Sequence, residues 1–369
     1  MPESARLLKF PSRLAQASFS AEDSRFAAEN LLSIPLENRT DENWGALELG
    51  DVSMAVLDQL RKDLNSAPKR IQAEASALFE RLKAATSVGL FDERDYFLGE
   101  AALLAGTTSR LIGCFEDAEN WFDLADISFR HTVNSAPLLN RVSHARLVLR
   151  YEMRRFTHVL ALLPSVIAEY DRLGMVGDSN KAKFLHGLIF KELGNGDRSL
   201  ECLLSLRASF GPEDPSFRSL VHTNIAEAYA RRGEDEKSLT EYQAALAAIE
   251  STGDHLASQG LKASLGEAYR VRGNYAEAIK CLRSAVGDAT SLRMQTRIAY
   301  LRVLLAEALL AAGRDREAEW EILAALPTIE EQQMAVEGVA AIELLRRSVT
   351  LKNTDRQALS RLRQHLKEN

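Results

Sequence analysis

The 369-residue sequence predicts an all-α fold, an array of antiparallel helix hairpins, and three observations carry that prediction. A turn recurs as Gly113-x-Phe115-x-x-Ala118, Gly194-x-Gly196-x-x-Ser199, Gly233-x-Asp235-x-x-Ser238, Gly273-x-Tyr275-x-x-Ala278 and Gly313-x-Asp315-x-x-Ala318. Weaker copies stand at Arg154-x-Phe156-x-x-Val159 and Asn353-x-Asp355-x-x-Ala358. Successive copies are about 40 residues apart, a period that marks a repeat protein. Next, every periodic stretch follows the helical spacing, and none alternates in the manner of a strand. Third, the stretches flanking each turn are apolar on one face, so that a hairpin buries itself only by stacking on its neighbours.

The residue types follow from the geometry of one hairpin. Gly233, Gly273 and Gly313 stand where a helix must stop and reverse, and glycine takes left-handed dihedrals there without a steric penalty. Asn353 is the next best substitute. Upstream, Ile225/Ala226/Tyr229, Leu265/Gly266/Tyr269 and Leu305/Ala306/Leu309 share one helical face, and the small residue of each trio admits the second helix. Downstream, Ala278, Leu282 and Ala285 match Ala318, Ile322 and Ala325 in the following copy.

These residues resemble the tetratricopeptide repeat family, whose pattern runs large apolar, leucine, small residue, tyrosine, glycine, aromatic, alanine. The resemblance covers roughly residues 93 to 369 and is strongest at the copies turning at Gly233, Gly273 and Gly313. It implies a right-handed superhelical array, a TPR-like α-solenoid. The family's usual repeat is about 34 residues, so that a period near 40 matches its elongated variant, as in kinesin light chains and some bacterial regulators. The family's proline near the repeat end is missing. HEAT and armadillo arrays share the period of about 40 but not the glycine, aromatic, alanine turn.

In order along the chain, residues 1–50 lack the repeat pattern and read as a partly disordered tail with one short helix from Ala21 to Ser33. Ser20 caps that helix, Asp23 completes a capping box and Pro35 ends it. The tail either covers the open end of the array or acts as a recognition segment, and its removal is expected to leave the array folded. Residues 51–92 form a degenerate leading hairpin, with Val52, Val56, Leu57, Leu60 and Leu64 on one helix face and Ile71, Ala75, Leu78, Phe79 and Leu82 on the next. Its turn is Asn65 to Pro68, and a break at Thr86 to Leu90 follows, with Asp92 capping the next helix. The array proper occupies residues 93–369, connected through Asn134 to Pro137, Gly174 to Asp178, Gly211 to Pro215 and Thr252 to Asp254. It ends in a capping helix with Leu359, Leu362 and Leu366 inward and Arg356, Arg361, Arg363 and Lys367 outward.

A net charge of −6 argues against nucleic acid or anionic lipid as a partner, since either calls for a clustered basic surface. No stretch approaches the 18 or more apolar residues of a membrane span, and no apolar segment follows Arg6, Lys9 and Arg13 to make a secretory signal. A cytoplasmic protein is the expectation. Cys114, Cys202 and Cys281 form no C-x-x-C pair, and the equivalent places of Cys202 and Cys281 point to buried packing. No Walker loop, G-x-G-x-x-G, G-x-S-x-G or H-E-x-x-H occurs, and the seven histidines are dispersed, so that neither enzyme nor cofactor nor metal is expected.

Two concentrations of charge point to binding. Arg130, His131, Arg141, His144, Arg146, Arg150, Arg154 and Arg155 cluster in an acidic chain, and Glu227, Glu267 and Glu307 recur at one phase. A glutamate at that phase also serves simply to solvate its helix. By the resemblance, these phases face a concave groove. Carried over residue by residue, the groove would present Arg110, Arg141, His144, Tyr151, Lys181, Phe184 and Lys191 in the earlier repeats, and Glu227, Glu267, Arg270 and Glu307 in the later ones. A groove of split polarity would orient a bound segment, its acidic end toward the earlier repeats. Charge reversal at Arg141 and Lys181, or at Glu267 and Glu307, is expected to leave folding intact. The function expected is a non-catalytic protein–protein interaction module or adaptor holding a peptide or helical segment of another protein. The alternatives are a ligand-gated regulator and a structural unit that self-associates through an open edge.

Overall fold

The computed structural model describes residues 20–48, 50–64, 67–84, 93–209 and 215–349, and every regular element among them is helical. The chain divides into two units, Met1–Leu185 and His186–Asn369. The first contains α1 (Ala21–Ser33), the single turn α2 (Asp41–Trp44), α3 (Gly50–Lys62), α4 (Pro68–Ala84), α5 (Arg94–Leu111), α6 (Phe115–Arg130), α7 (Ser135–Glu152) and α8 (Phe156–Arg172). Helix α9 (Val176–Glu192) contributes to both. The second holds α10 (Gly196–Arg207), α11 (Pro215–Arg231), α12 (Asp235–Glu250), α13 (His255–Val271), α14 (Tyr275–Ser291), α15 (Gln295–Ala311), α16 (Asp315–Glu331) and α17 (Ala335–Val349). The all-α array of hairpins is as the sequence predicts. Within each unit consecutive helices pack together, α5 on α6, α11 on α12, α13 on α14 and α15 on α16 most extensively.

Six of the predicted turn positions have positive φ: Gly113, Arg154, Gly194, Gly233, Gly273 and Gly313. The turn at Asn353 and the C-terminal capping helix lie outside the described residues, as do Asn65, Ser66, the break at Thr86 to Leu90 and residues 211–214. The turns between hairpins use the same device, at Asn134, Gly174, Gly253, Arg293 and Gln333. After nine of these eleven left-handed residues, all but Asn134 and Gly253, the following amide returns to the carbonyl five positions back. Examples are Cys114 N to Ser109 O at 2.8 Å, Arg155 N to Arg150 O at 2.9 Å, Met294 N to Ala289 O at 3.0 Å and Met334 N to Ile329 O at 3.1 Å. That bond satisfies a helix-end carbonyl whatever the side chain at the turn. It explains why Arg293 and Gln333, which carry no glycine signal, reverse the chain as Gly273 does.

Small residues sit where helices cross. Ala118, Ala278 and Ala318 are fully buried, and Ser199 and Ser238 hold the matching place in two other repeats. On α5, Gly99 and Gly106 lie against the rings of Phe129 and Phe122 of α6, and a Cβ on Gly106 would stand 2.6 Å from the Phe122 ring and 3.2 Å from the Ala118 carbonyl oxygen. On α13, Gly266 meets Leu282 in the same way, at 2.7 Å.

The N-terminal segment departs from the expected tail. Helix α1 spans Ala21–Ser33 with the Ser20/Asp23 capping box in place, but Ala27, Ala28, Leu31, Trp44 and Leu47 belong to the core that includes α3 to α6. Arg39 makes a buried fork on Glu74, at 2.6 and 2.8 Å, and donates through Nε to the Ile34 carbonyl at 2.8 Å. The Arg39 and Arg81 guanidiniums both lie against the Trp44 ring, at 5.1 and 5.5 Å. Arginine and glutamate read as surface residues in a sequence and Trp44 stands outside any helical period, so that this anchoring carried no periodic signal. Residues 1–19 lie outside the described residues.

The glycine contacts give a paired prediction. Gly106→Ala should destabilise the chain by about 1–3 kcal/mol despite its better helix propensity, because the new methyl overpacks against Phe122 and a backbone oxygen. Gly287→Ala, on α14 with open space around it, should stabilise by about 0.5–1 kcal/mol. Urea midpoints of the two variants check both signs.

Candidate binding clefts

In unit 1, α5 presents Glu100, Leu103, Leu104, Thr107 and Arg110 along one helical stripe. Arg61 and Leu64 of α3, Arg141, His144, Ala145 and Val148 of α7, Tyr170 of α8, and Asp178 and Lys181 of α9 complete a cleft of about 440 Å³. Glu100 is only 1% exposed. Arg141 reaches it through Nη1 at 2.5 Å and Nη2 at 3.2 Å, and Arg61 donates to it from the opposite side while also pairing with Asp58 at 2.9 Å. One buried carboxylate therefore holds two guanidiniums against the cleft floor. Burying a carboxylate is unfavourable unless it is paired and hydrogen-bonded. Arg110 pairs with Glu152, whereas Lys181 is exposed with no ion-pair partner among the described residues. His144 Nδ1 lies 3.4 Å from the Tyr170 hydroxyl, which also lies 3.4 Å from the Asn140 carbonyl oxygen. Burial pushes the His144 imidazolium down to about 4; Asp178 opposes and Lys181 reinforces the shift.

Four of the seven residues expected in the earlier part of the groove thus meet in one cleft: Arg110, Arg141, His144 and Lys181. Phe184 is buried in the packing of α9, and Tyr151 lies against Phe156 with ring centroids 5.7 Å apart, so that neither lines the cleft. The cleft is also less basic than the sequence suggests, because Asp58, Glu100, Glu152 and Asp178 stand among its cations. Glu100, Arg141 and Lys181 share a phase, at 100, 141 and 181 against turns at 113, 154 and 194. That alignment was the available signal for Glu100; Arg61 and Tyr170 come from helices outside it. The pairing also corrects the expectation for charge reversal. A carboxylate at position 141 would face the buried Glu100, so that the change strikes the fold, whereas Lys181→Glu touches no ion pair.

In unit 2 the row of glutamates is neutralised within the repeats. Glu227 accepts from Lys191 at 2.6 Å and lies 3.7 Å from Arg231, Glu267 accepts from Arg270 at 2.8 Å, and Glu307 lies 3.9 Å from the same guanidinium. Lys191, expected at the basic end, is thus the partner of Glu227, expected at the acidic end. The separation into two ends fails here because residues at neighbouring phases of adjacent helices are close enough to pair. A second cleft, of about 350 Å³, is lined by Asp235, Ser238, Tyr242, Ala263, Glu267, Val271, Arg297, Tyr300 and Leu304 among others. Glu267 is the one residue of the expected groove set in its lining. Elsewhere in unit 2, the buried Glu241 takes His222 Nδ1 at 2.6 Å and Arg207.

Among the described residues no group of histidine, cysteine and acidic side chains could hold a metal ion, and no helix is long and apolar enough to cross a membrane. Cys202 and Cys281 are half-buried, and burial raises both thiols, while Cys114 is exposed.

No protein-family model matches the chain, and no curated protein does. Solved structures do. A signal-transduction ATPase with a tetratricopeptide repeat sensor, from Pyrococcus horikoshii, superposes with a TM-score of 0.63 at 14% identity, over 95% of this chain and 53% of that one. The chain has the tetratricopeptide-repeat fold. It spans about half the length of that ATPase chain. A chain of the APC/C Cut9–Hcn1 hetero-tetramer matches at a TM-score of 0.51 and 16% identity, over 89% of this chain and 59% of that one. A Rap protein crystallised with Competence and Sporulation Factor matches at 0.51 and 13% identity, over 95% and 99%.

Two outcomes follow from the unit 1 cleft of this repeat array. Arg141→Ala should destabilise by about 3 kcal/mol, since it leaves a buried carboxylate with one partner, while Lys181→Glu should shift the urea midpoint little. Stability should also fall on acidification. The unfolded His144 protonates near 6.5 and the folded one near 4, so that its contribution is whole above pH 6.5 and is lost as pH falls toward 4, by at most about 3 kcal/mol. His144→Gln should flatten that part of a stability–pH curve.

Proposed function

We propose that the chain is a non-catalytic protein-interaction module whose unit 1 cleft grips a segment of another protein bearing a carboxylate among apolar side chains. The observation that carries this reading is Glu100: a buried acid that holds Arg61 and Arg141 in place before any partner arrives. Each guanidinium has five N–H donors in a fixed fork, and those not used on Glu100 remain available to a second acceptor. Lys181 adds a cation with no ion-pair partner among the described residues, and Leu64, Leu103, Leu104, Ala145 and Val148 give apolar wall. Fixing the arginines lowers the ordering penalty of binding. The array fold supports the same reading, since stacked hairpins suit extended recognition surfaces. The Rap neighbour, crystallised with a factor, and the Cut9–Hcn1 assembly are proteins of this fold engaged with another molecule.

The test is selection of a displayed peptide library on the immobilised full-length chain at low salt, repeated with Lys181→Glu. Enriched peptides should carry aspartate or glutamate beside leucine or similar residues. Their binding should fall about five- to tenfold with Lys181→Glu and weaken as salt rises. Binding indifferent to salt and to the variant would overturn the assignment of this cleft.

A further inference from the structure

The unit 2 cleft is distinguished by what is left unpaired. Around it, charges are matched: Glu267 with Arg270, Glu227 with Lys191, Arg302 with Glu321 and Arg272 with Glu236. Two charges in its lining have no partner among the described residues, Arg297 of α15 and Asp235 of α12. The Arg297 guanidinium stacks on the Tyr300 ring, with its central carbon 4.9 Å from the ring centroid. Stacking fixes the guanidinium plane and leaves its N–H edge available, which suits a carboxylate. Asp235 is half-buried in the first turn of α12.

A third group of the lining also lacks a partner. Ser238 is 2% exposed and its hydroxyl makes no hydrogen bond among the described residues. A buried polar group without a partner is unfavourable. A ligand amide or carboxylate that reached it would supply the missing bond. Ala263, Val271, Leu304 and the Tyr242 ring provide the apolar remainder, and about 350 Å³ lies in the range of small-ligand sites, roughly 300–1,000 Å³.

We infer that this cleft binds a small zwitterion, a free α-amino acid or dipeptide with an apolar side chain, its carboxylate on Arg297 and its ammonium toward Asp235. A purely anionic ligand would be drawn to Arg297 but opposed by Asp235 and Glu267, and a purely cationic one would face Arg297. A molecule bearing both charges on a short apolar body answers both unpaired charges of the lining. This site is independent of the unit 1 cleft, since it uses other helices and other residues.

The experiment is calorimetric titration of the full-length chain with L-leucine and with L-leucyl-L-leucine, beside their N-acetylated and C-amidated forms. At least one free zwitterion should bind with Kd below about 1 mM, and each blocked form about tenfold more weakly or worse. The length that binds distinguishes amino acid from dipeptide. Arg297→Gln should weaken the zwitterion about tenfold while leaving the amidated form unchanged, and Asp235→Asn should do so while leaving the acetylated form unchanged. Circular dichroism of each variant separates lost binding from lost fold. Ser238→Ala, which removes a buried hydroxyl from a helix crossing, should fold at least as well as the parent and bind a few-fold more weakly. Absence of saturable binding to the parent chain, or equal binding of free and blocked ligands, would overturn the inference, and neither result bears on peptide selection at the unit 1 cleft.

Discussion

The hydrogen bond from the amide after a left-handed residue to the carbonyl five positions back, made at nine of the eleven left-handed turns, is the constraint on which the rest depends. It closes one helix and aims the next. Once the reversal is fixed, the apolar faces of both helices point inward, and the crossing residues must be small: Ala118, Ala278, Ala318, Gly99 and Gly106 of α5, and Gly266 of α13. The same reversal brings matching phases of alternate helices side by side, as α5 and α7, or α13 and α15, touch. The clefts therefore arise where one phase of several helices forms a common surface, and no loop is needed to build them.

Ion pairs in this chain divide by burial. Pairs such as Arg70 with Asp63 are exposed and contribute little. Glu74, Glu100 and Glu241 are different, since each buries a carboxylate and meets a guanidinium from another helix or segment. The attraction within such a pair is offset by desolvation, so that its main effect is to select one arrangement of neighbouring elements. At Glu74 that arrangement attaches the N-terminal segment to α4. At Glu100 it sets the floor of a cleft.

Most of the fold was legible because turns, small crossing residues and helical period all repeat, and repetition separates signal from chance. The capping box of α1 was legible for a different reason, being local chemistry over four residues. Arg39 and Trp44 were not, because Glu74 and Arg81 lie far along the chain, arginine by type suggests solvent, and Trp44 belongs to no repeat. For the clefts, phase alone brought Arg110, Arg141, His144 and Lys181 to one place, and it failed for Phe184, which faces the packing. It also failed to register that Lys191 and Glu227 cancel, since a phase states direction and says nothing of the charge one helix away.

The turns within hairpins and those between them share a left-handed residue, at 113, 134, 154, 174, 194, 233, 253, 273, 293, 313 and 333. Since the same left-handed reversal serves both places, the distinction between the first and the second helix of a hairpin is stored in the helices themselves. A duplication or loss of two helices, a segment on the order of 40 residues, joins like to like and preserves every cleft-facing row. A duplication or loss of one helix makes an equally sound joint but exchanges the rows, turning seams such as Ala278 and Ala318 toward solvent. Growth of such a chain is thus free in length yet restricted to even steps, and the restriction comes from the side chains, since the backbone turns would accept either.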